Sequence, residues 1–111
     1  MAFVKFKHRH TTSVPVVTGR KASGRLSFNR AAVVEYNLEE YKHCNLYFDK
    51  DSSMIGFEFL KEPEDGSVKV NNKKYSYDVA AQNFSTFFGI DLDAVKRCPI
   101  SKKGEMFVIS F

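Results

Sequence analysis

The chain has 111 residues, of which 43% are hydrophobic and 14% aromatic, enough for one packed domain and too many for wholesale disorder. Its net charge is +4, and no apolar run approaches the roughly 20 residues that span a bilayer. The start, MAFVKFKHRH, lacks the apolar stretch of a signal peptide, and Cys44 and Cys98 are too few for a disulfide scaffold. We therefore expect a single cytoplasmic domain, residues 1–111, with reduced thiols and no membrane contact.

The charge is unevenly distributed along the chain. Residues 1–30 carry seven cations and no acid, residues 31–95 have a net charge of −6, and residues 96–111 have a net charge of +3. A basic segment on a balanced body is typical of proteins that bind polyanions. The alternative is a solvated basic edge that prevents sheets from associating.

The first thirty residues read as short strands separated by a loop. Apolar and basic residues alternate over Phe3–Lys7, which predicts a strand within a basic extension over residues 1–19. Ser13–Thr18 is β-branched, but Pro15 restricts it to an edge or a bulge. Thr18–Gly24 reads as a loop and Arg25–Phe28 as a strand.

A helix is expected next, and then a hairpin. Asn29 is a helix N-cap candidate, because its side-chain oxygen can accept from the first free amides of a helix over residues 30–37. Its predicted buried stripe is Ala31, Val34 and Leu38. Strands over residues 44–48 and 54–60 follow, and a linker with Pro and Gly begins at residue 61 and ends by residue 72.

The second half repeats this order. We predict a short strand at Val68–Val70, a turn at residues 71–74 and a strand at Tyr75–Tyr77. Asp78 would then cap a helix over residues 79–88 that ends at Gly89, and a final hairpin runs over residues 97–111. The predicted stripe of this helix is Ala80, Phe84, Phe87 and Phe88.

An approximate internal repeat relates residues 20–61 to residues 73–111. LSFNRAA at residues 26–32 parallels YSYDVAA at residues 75–81, with Asn29 opposite Asp78, and Cys44 parallels Cys98. Duplication and convergence on a shared strand–cap–helix plan both account for the match. Two such units can bury each other's apolar faces and close a barrel. We thus expect a mainly β fold with two short helices, built from duplicated β-α-β-hairpin units.

The segment GRLSFNRAAVVEYNL, residues 24–38, resembles the core of AbrB-type (SpoVT/AbrB-like and MazE-like) transition-state regulators and antitoxins. The resemblance implies a swapped-hairpin β-barrel, which two identical chains usually complete and which this chain would complete alone if it is duplicated. It also implies DNA binding through the basic N-terminal strand and loop, which by position are Arg20, Lys21 and Arg25, with Arg9 nearby in sequence. Asn29 replaces the usual Pro, and Asn37 the usual Gly.

Other chemistry has little support in the sequence. His8, His10, His43 and Cys44 lack a recognised metal-ligand spacing, and no catalytic or nucleotide-binding motif is present. We therefore expect no enzyme and no cofactor. The leading hypothesis is a small regulator that binds duplex DNA as a monomer or homodimer. The alternative is a protein-interaction module, such as an antitoxin, an adaptor or a phage-encoded host-interaction factor.

Overall fold

The computed structural model describes residue 3, residues 14–73 and residues 76–111. The described chain contains two α-helices, two 3₁₀ helices at Leu38–Glu40 and Leu92–Ala94, and nine strands. In chain order the strands and α-helices are β1 (Val16–Arg20), β2 (Arg25–Phe28), α1 (Arg30–Glu35), β3 (His43–Asp49), β4 (Met54–Leu60), β5 (Val68–Lys73), β6 (Ser76–Ala80), α2 (Gln82–Phe88), β7 (Cys98–Pro99), β8 (Ser101–Lys103) and β9 (Met106–Ser110).

The described strands form one antiparallel sheet in the order β7-β1-β2-β6-β5-β3-β4-β9-β8. β7, at one end of this order, also lies close to β9 near the other end. The sheet is therefore a nearly closed, barrel-like structure, and the expectation of a mainly β fold with two short helices is confirmed. Closure hides most strand edges from solvent.

The two halves of the chain contribute their elements in the same order. Each half has two strands, an α-helix, a 3₁₀ helix and a hairpin, with β5 and β6 in the places of β1 and β2, and the second half has the short strand β7 in addition. The pairings match as well: β1 pairs with β7 as β5 pairs with β3, and these two pairings join the halves together with β2–β6 and β4–β9. Both 3₁₀ helices begin with a buried leucine, Leu38 and Leu92.

The core is aromatic, as the eleven phenylalanines in the sequence suggest. Phe28 contacts Phe57 and Phe59 edge-on at ring-centroid distances of 5.0 and 5.5 Å. Phe28 of β2 and Phe57 of β4 are almost fully buried. Alternate residues of each strand face the same side of the sheet, and these two are on the side that faces the core. Aromatic side chains from both sides of the barrel therefore interlock at its centre.

The predicted start of the first helix is confirmed. The Asn29 side-chain oxygen accepts from the amides of Ala32 and Val16, both at 3.1 Å, and its amide nitrogen donates to the carbonyl of Val14 at 2.7 Å. Asn37 adopts the left-handed conformation with φ of 53°. The Asn29 side chain thus caps α1 and connects the start of β1 to this helix.

The predicted helical stripes are only partly right: Leu38 is buried and Phe84 packs against the core, but the other predicted positions are not buried helical residues. Ala32 and Val33 are the buried residues of α1, whereas Val34 is 57% exposed, and Leu38 belongs to the 3₁₀ helix. In the second half, Ala80 lies in β6 and Phe87 is 81% exposed. Both helices have only two turns or less, so packing against the barrel determines which residues are buried, and an extended helical period does not apply.

The predicted cap at Asp78 is also wrong. Asp78 lies within β6, opposite Ser27 of β2, and its carboxylate accepts a hydrogen bond from the Ser27 hydroxyl at 2.7 Å. The helix starts later, with Ala81 as its N-cap, and ends at Gly89 with φ of 67° as predicted. Strand pairing with β2 and β5 outweighs the local capping tendency of the aspartate. The aligned pair Asn29 and Asp78 therefore has no shared role.

Two boundaries differ from expectation for the same reason. β1 runs through the predicted loop to Arg20, and it lies between β7 and β2, away from any edge. β5 continues to Lys73 through the predicted turn, so the segment between β4 and β5 covers residues 61–67. Interstrand hydrogen bonds extend strands whose own residues favour turns.

Candidate nucleic-acid interface

The β1–β2 hairpin brings three of the four predicted binding residues together. Arg20, at the end of β1, is the Cα partner of Arg25, at the start of β2, and Lys21 begins the connecting turn. The Gly24 amide donates to the Lys21 carbonyl at 3.2 Å, and Gly24 has φ of 65°. This left-handed position favours glycine and lets the turn close. Arg9, the fourth residue, lies outside the described residues, as do His8 and His10.

Hydrogen bonds orient Arg20 along the outer face of the sheet. Its Nε donates to the Ser27 hydroxyl at 3.3 Å, and this hydroxyl donates to the Asp78 carboxylate at 2.7 Å. The carboxylate is therefore linked to the guanidinium through a serine. Arg20 itself remains exposed, so its terminal nitrogens are accessible to a ligand.

Arg25 is held by the neighbouring β5 strand. With its side-chain oxygen turned toward the guanidinium, Asn71 accepts from Nη2 of Arg25 at 3.1 Å and also from Nη1. Of the two polar atoms in the Asn71 side-chain amide, only the oxygen can accept from a guanidinium, because a guanidinium has donors and no acceptor. Arg25 is half-buried and thus has less freedom than Arg20.

The structure adds two cations that the sequence did not single out. The Gly19 amide donates to the Val95 carbonyl at 2.7 Å, and the Lys21 amide donates to the Asp93 carboxylate at 3.1 Å. These bonds place the segment with Lys96 and Arg97 beside the end of β1, and both side chains are exposed. We call Arg20, Lys21, Arg25, Lys96 and Arg97 the hairpin surface. In the sequence, only the charge of Lys96 and Arg97 indicated a place in this surface, because the β1–β7 pairing is a long-range contact.

The hairpin surface includes acids at its border. Asp78 of β6 and Asp91 and Asp93 at the second 3₁₀ helix lie beside it, which leaves a net charge of +2 for these eight residues. Asp91 caps the second 3₁₀ helix by accepting from the Asp93 amide at 3.1 Å. The carboxylates of Asp91 and Asp93 therefore position backbone around the cations, and their charge partly offsets the cationic field.

Neither cysteine forms a site with its neighbours. Both thiols are free and buried, and in Cys44 burial raises the pKa to about 12. Since the thiolate is the nucleophile and the metal ligand, Cys44 is inert near neutral pH. Among the described residues, no group of three or more His, Cys, Asp and Glu side chains is arranged to hold a metal ion. Neither described α-helix has the length and apolar character needed to cross a bilayer.

Comparisons of the chain with protein-family models, with curated proteins and with solved structures found no match.

Proposed function

We propose that this chain is a small DNA-binding protein of the transcription-regulator type, which acts by binding and not by catalysis. The observation that carries the proposal is that hydrogen bonds bring the exposed segment with Lys96 and Arg97 beside the hairpin end that carries Arg20, Lys21 and Arg25. These cations come from both basic ends of the sequence. Guanidinium groups pair with phosphate through two parallel hydrogen bonds, and lysine acts as a mobile point charge.

We further propose that the fold is a swapped-hairpin barrel made of two diverged copies of one unit. The shared order of elements and the matched strand pairings support this. A backbone bond supports it too: Gly19 N–H donates to the Val95 carbonyl after the second 3₁₀ helix, as Val70 N–H of β5 donates to the Lys42 carbonyl after the first. If the units are copies, the AbrB-type resemblance favours the N-terminal hairpin as the DNA contact.

The test is fluorescence anisotropy with a labelled duplex of about 20 base pairs at several salt concentrations. The informative variant is R20A/K21A/R25A. Its matched control is K50A/K61A/K69A, which removes the same charge from three exposed lysines outside the hairpin surface. Five phosphate contacts predict a slope of log K against log salt of about −4.5, and loss of three contacts reduces it to about −2. The control should keep the steep slope.

Two results would reject the DNA proposal. One is undetectable binding at low salt, and the other is binding that is equally weakened in the triple variant and in its control. The second result would mean that only net charge matters and that the hairpin surface has no special role.

A second candidate function is a protein-interaction module, and one observation favours it. Phe87 and Phe88 of α2 are 81% and 44% exposed, and they extend an aromatic cluster with Phe84, Phe48 and Phe111. Exposed aromatic patches of this kind are common at protein interfaces. Capture from the native host separates the candidates: F87S should lose a stoichiometric partner that wild type and V34S, which alters an exposed valine of α1, both retain.

A further inference from the structure

A cleft separate from the hairpin surface opens where α1, β4 and the β8–β9 hairpin meet. Its volume is about 530 Å³, which is large enough for an amino-acid side chain and part of its backbone. Its aromatic lining comprises Tyr36 and Tyr41 in the connection after α1, together with Phe59 of β4 and Phe107 of β9.

The walls of this cleft are aromatic and tightly arranged. The ring centroids of Tyr36 and Phe107 are 4.6 Å apart, those of Phe59 and Phe107 are 5.7 Å apart, and those of Tyr41 and Phe59 are 5.9 Å apart. Tyr36, Tyr41 and Phe59 remain partly accessible. The faces of such rings carry negative electrostatic potential and attract cations.

Acidic residues are part of the same lining. Glu35, Glu58 and Glu105 all line the cleft. Hydrogen bonds from Asn45 and from the Tyr47 hydroxyl, both at 2.9 Å, lower the pKa of Glu58 and keep it ionised. Three carboxylates against the single cation Lys102 give this lining a net negative charge, which repels anions such as nucleic-acid phosphates.

The chain itself places a cation against one of these rings. The ammonium nitrogen of Lys102 lies 5.7 Å from the centroid of Phe107, within the range of cation–π attraction. Lys102 is an exposed residue of β8 and can move away. The ring of Phe107 therefore already faces a positively charged group.

We propose that this cleft binds the side chain of an arginine in a basic segment of a partner protein. A guanidinium is planar, so it stacks on the tyrosine and phenylalanine rings, and its forked donors match carboxylate oxygens. It is also less strongly hydrated than an ammonium group, so it loses less on entering an aromatic cleft. The inference does not depend on DNA binding, because the cleft and the hairpin surface share no residue.

The proposal is tested by NMR titration of the ¹⁵N-labelled full chain with a blocked pentapeptide that has one arginine between glycines. Two further peptides carry citrulline, which has the same shape without the charge, or lysine. We expect the arginine peptide to shift amide signals of residues 35–41 and 102–107 with a dissociation constant of about 1 mM, as a single side chain allows. The citrulline peptide should give no shift, and the lysine peptide should bind at least about threefold more weakly than the arginine peptide.

Two variants sharpen the assignment. E35Q/E58Q/E105Q should weaken binding of the arginine peptide about tenfold, while the control E40Q/E62Q/D65N, with the same charge change at exposed sites outside the cleft, should lose much less. K102A removes the internal competitor and should strengthen binding about two- to threefold. This gain cannot come from unfolding.

Several results would overturn the cleft assignment: equal binding of citrulline or lysine, signal shifts outside the cleft, equal losses in the two triple variants, or no gain in K102A. The anisotropy titration with DNA is run on the same variants. Wild-type protein that binds DNA but not the arginine peptide, or the peptide but not DNA, shows which proposal has failed.

Discussion

The two halves of the chain start their α-helices in different ways. In the first half, Asn29 uses its side chain for three hydrogen bonds that join α1 to the start of β1. In the second half, Ala81 makes no side-chain cap, and its amide instead donates to the Gly24 carbonyl of the opposite half at 2.9 Å. The same position in the fold is therefore stabilised locally in one half and by a contact between halves in the other.

The two corresponding hairpins also place different residues on the part of the sheet where they meet. The β1–β2 hairpin carries Arg20 and Arg25, while β5 and β6 present Asn71 and Asp78 on the neighbouring part of the sheet. Asn71 of the second hairpin accepts from Arg25 of the first. Asp78 of the second hairpin is linked to Arg20 through the Ser27 hydroxyl. In this part of the sheet, polar side chains of the second half therefore orient cationic side chains of the first half.

The largest expected effect on this comparison comes from Gly19→Ala. A Cβ at Gly19 would collide with the backbone carbonyl of Leu92. This close approach is where β1 meets the second half. We expect a loss of about 3 kcal/mol in the free energy of unfolding, because backbone must move to relieve the overlap. Urea unfolding followed by circular dichroism measures it, with Lys69→Ala on β5 as control. A loss below about 1 kcal/mol would show that the contact is loose.

Removal of the Asn29 cap should have the next largest effect. Asn29→Ala leaves the amides of Ala32 and Val16 without their partner, which predicts a loss of about 2 kcal/mol. The reciprocal change, Ala81→Asn, should also destabilise, because Ala81 is 1% exposed and has no room for a polar cap. Chemical denaturation of both variants checks the pair. A stabilised A81N would mean that the two helix starts are interchangeable.

A matched pair of glycines tests how closely the halves touch. Gly24 and Gly104 both have φ of 65°, but only Gly24 has a neighbour, Gln82 of α2, where a Cβ would lie. Gly104→Ala should cost about 1 kcal/mol from backbone conformation alone, and Gly24→Ala about 2 kcal/mol. Thermal and urea unfolding compare them directly. Equal losses would indicate that Gln82 moves aside without cost.

The smallest effect is a difference in thiol reactivity between the two cysteines. Burial raises the pKa of Cys44 to about 12, so the thiol stays protonated at pH 8, and its side chain is fully buried. Cys98 is 7% exposed in the short strand β7. We expect a thiol-specific reagent at pH 8 to label Cys98 first and Cys44 only on unfolding. C98S should then show no early labelling phase, whereas an early phase in C98S would place Cys44 nearer to solvent.

Sequence patterns were most informative where the cause is local. Asn29 was recognisable as a cap, and Gly89 as a helix end, because each depends on one residue's own conformational or hydrogen-bonding preference. Asp78 misled for the same reason: it has the chemistry of a cap, but β6 pairs with strands on both sides. Of the hairpin surface, Arg20, Lys21 and Arg25 are candidates that the AbrB-type resemblance implies, whereas Lys96 and Arg97 were recognisable only from the contacts of the second 3₁₀ helix with β1.

By itself, the sequence determined the class of fold, the aromatic core and the segregation of positive charge to the two ends of the chain. Composition and short-range periodicity are enough for these, since each is a property of neighbouring residues. Only the tertiary structure decided which strands pair, which face of each short helix is buried, and which charges share a surface. Those features depend on contacts between residues far apart in sequence, and such contacts form only when the whole barrel closes.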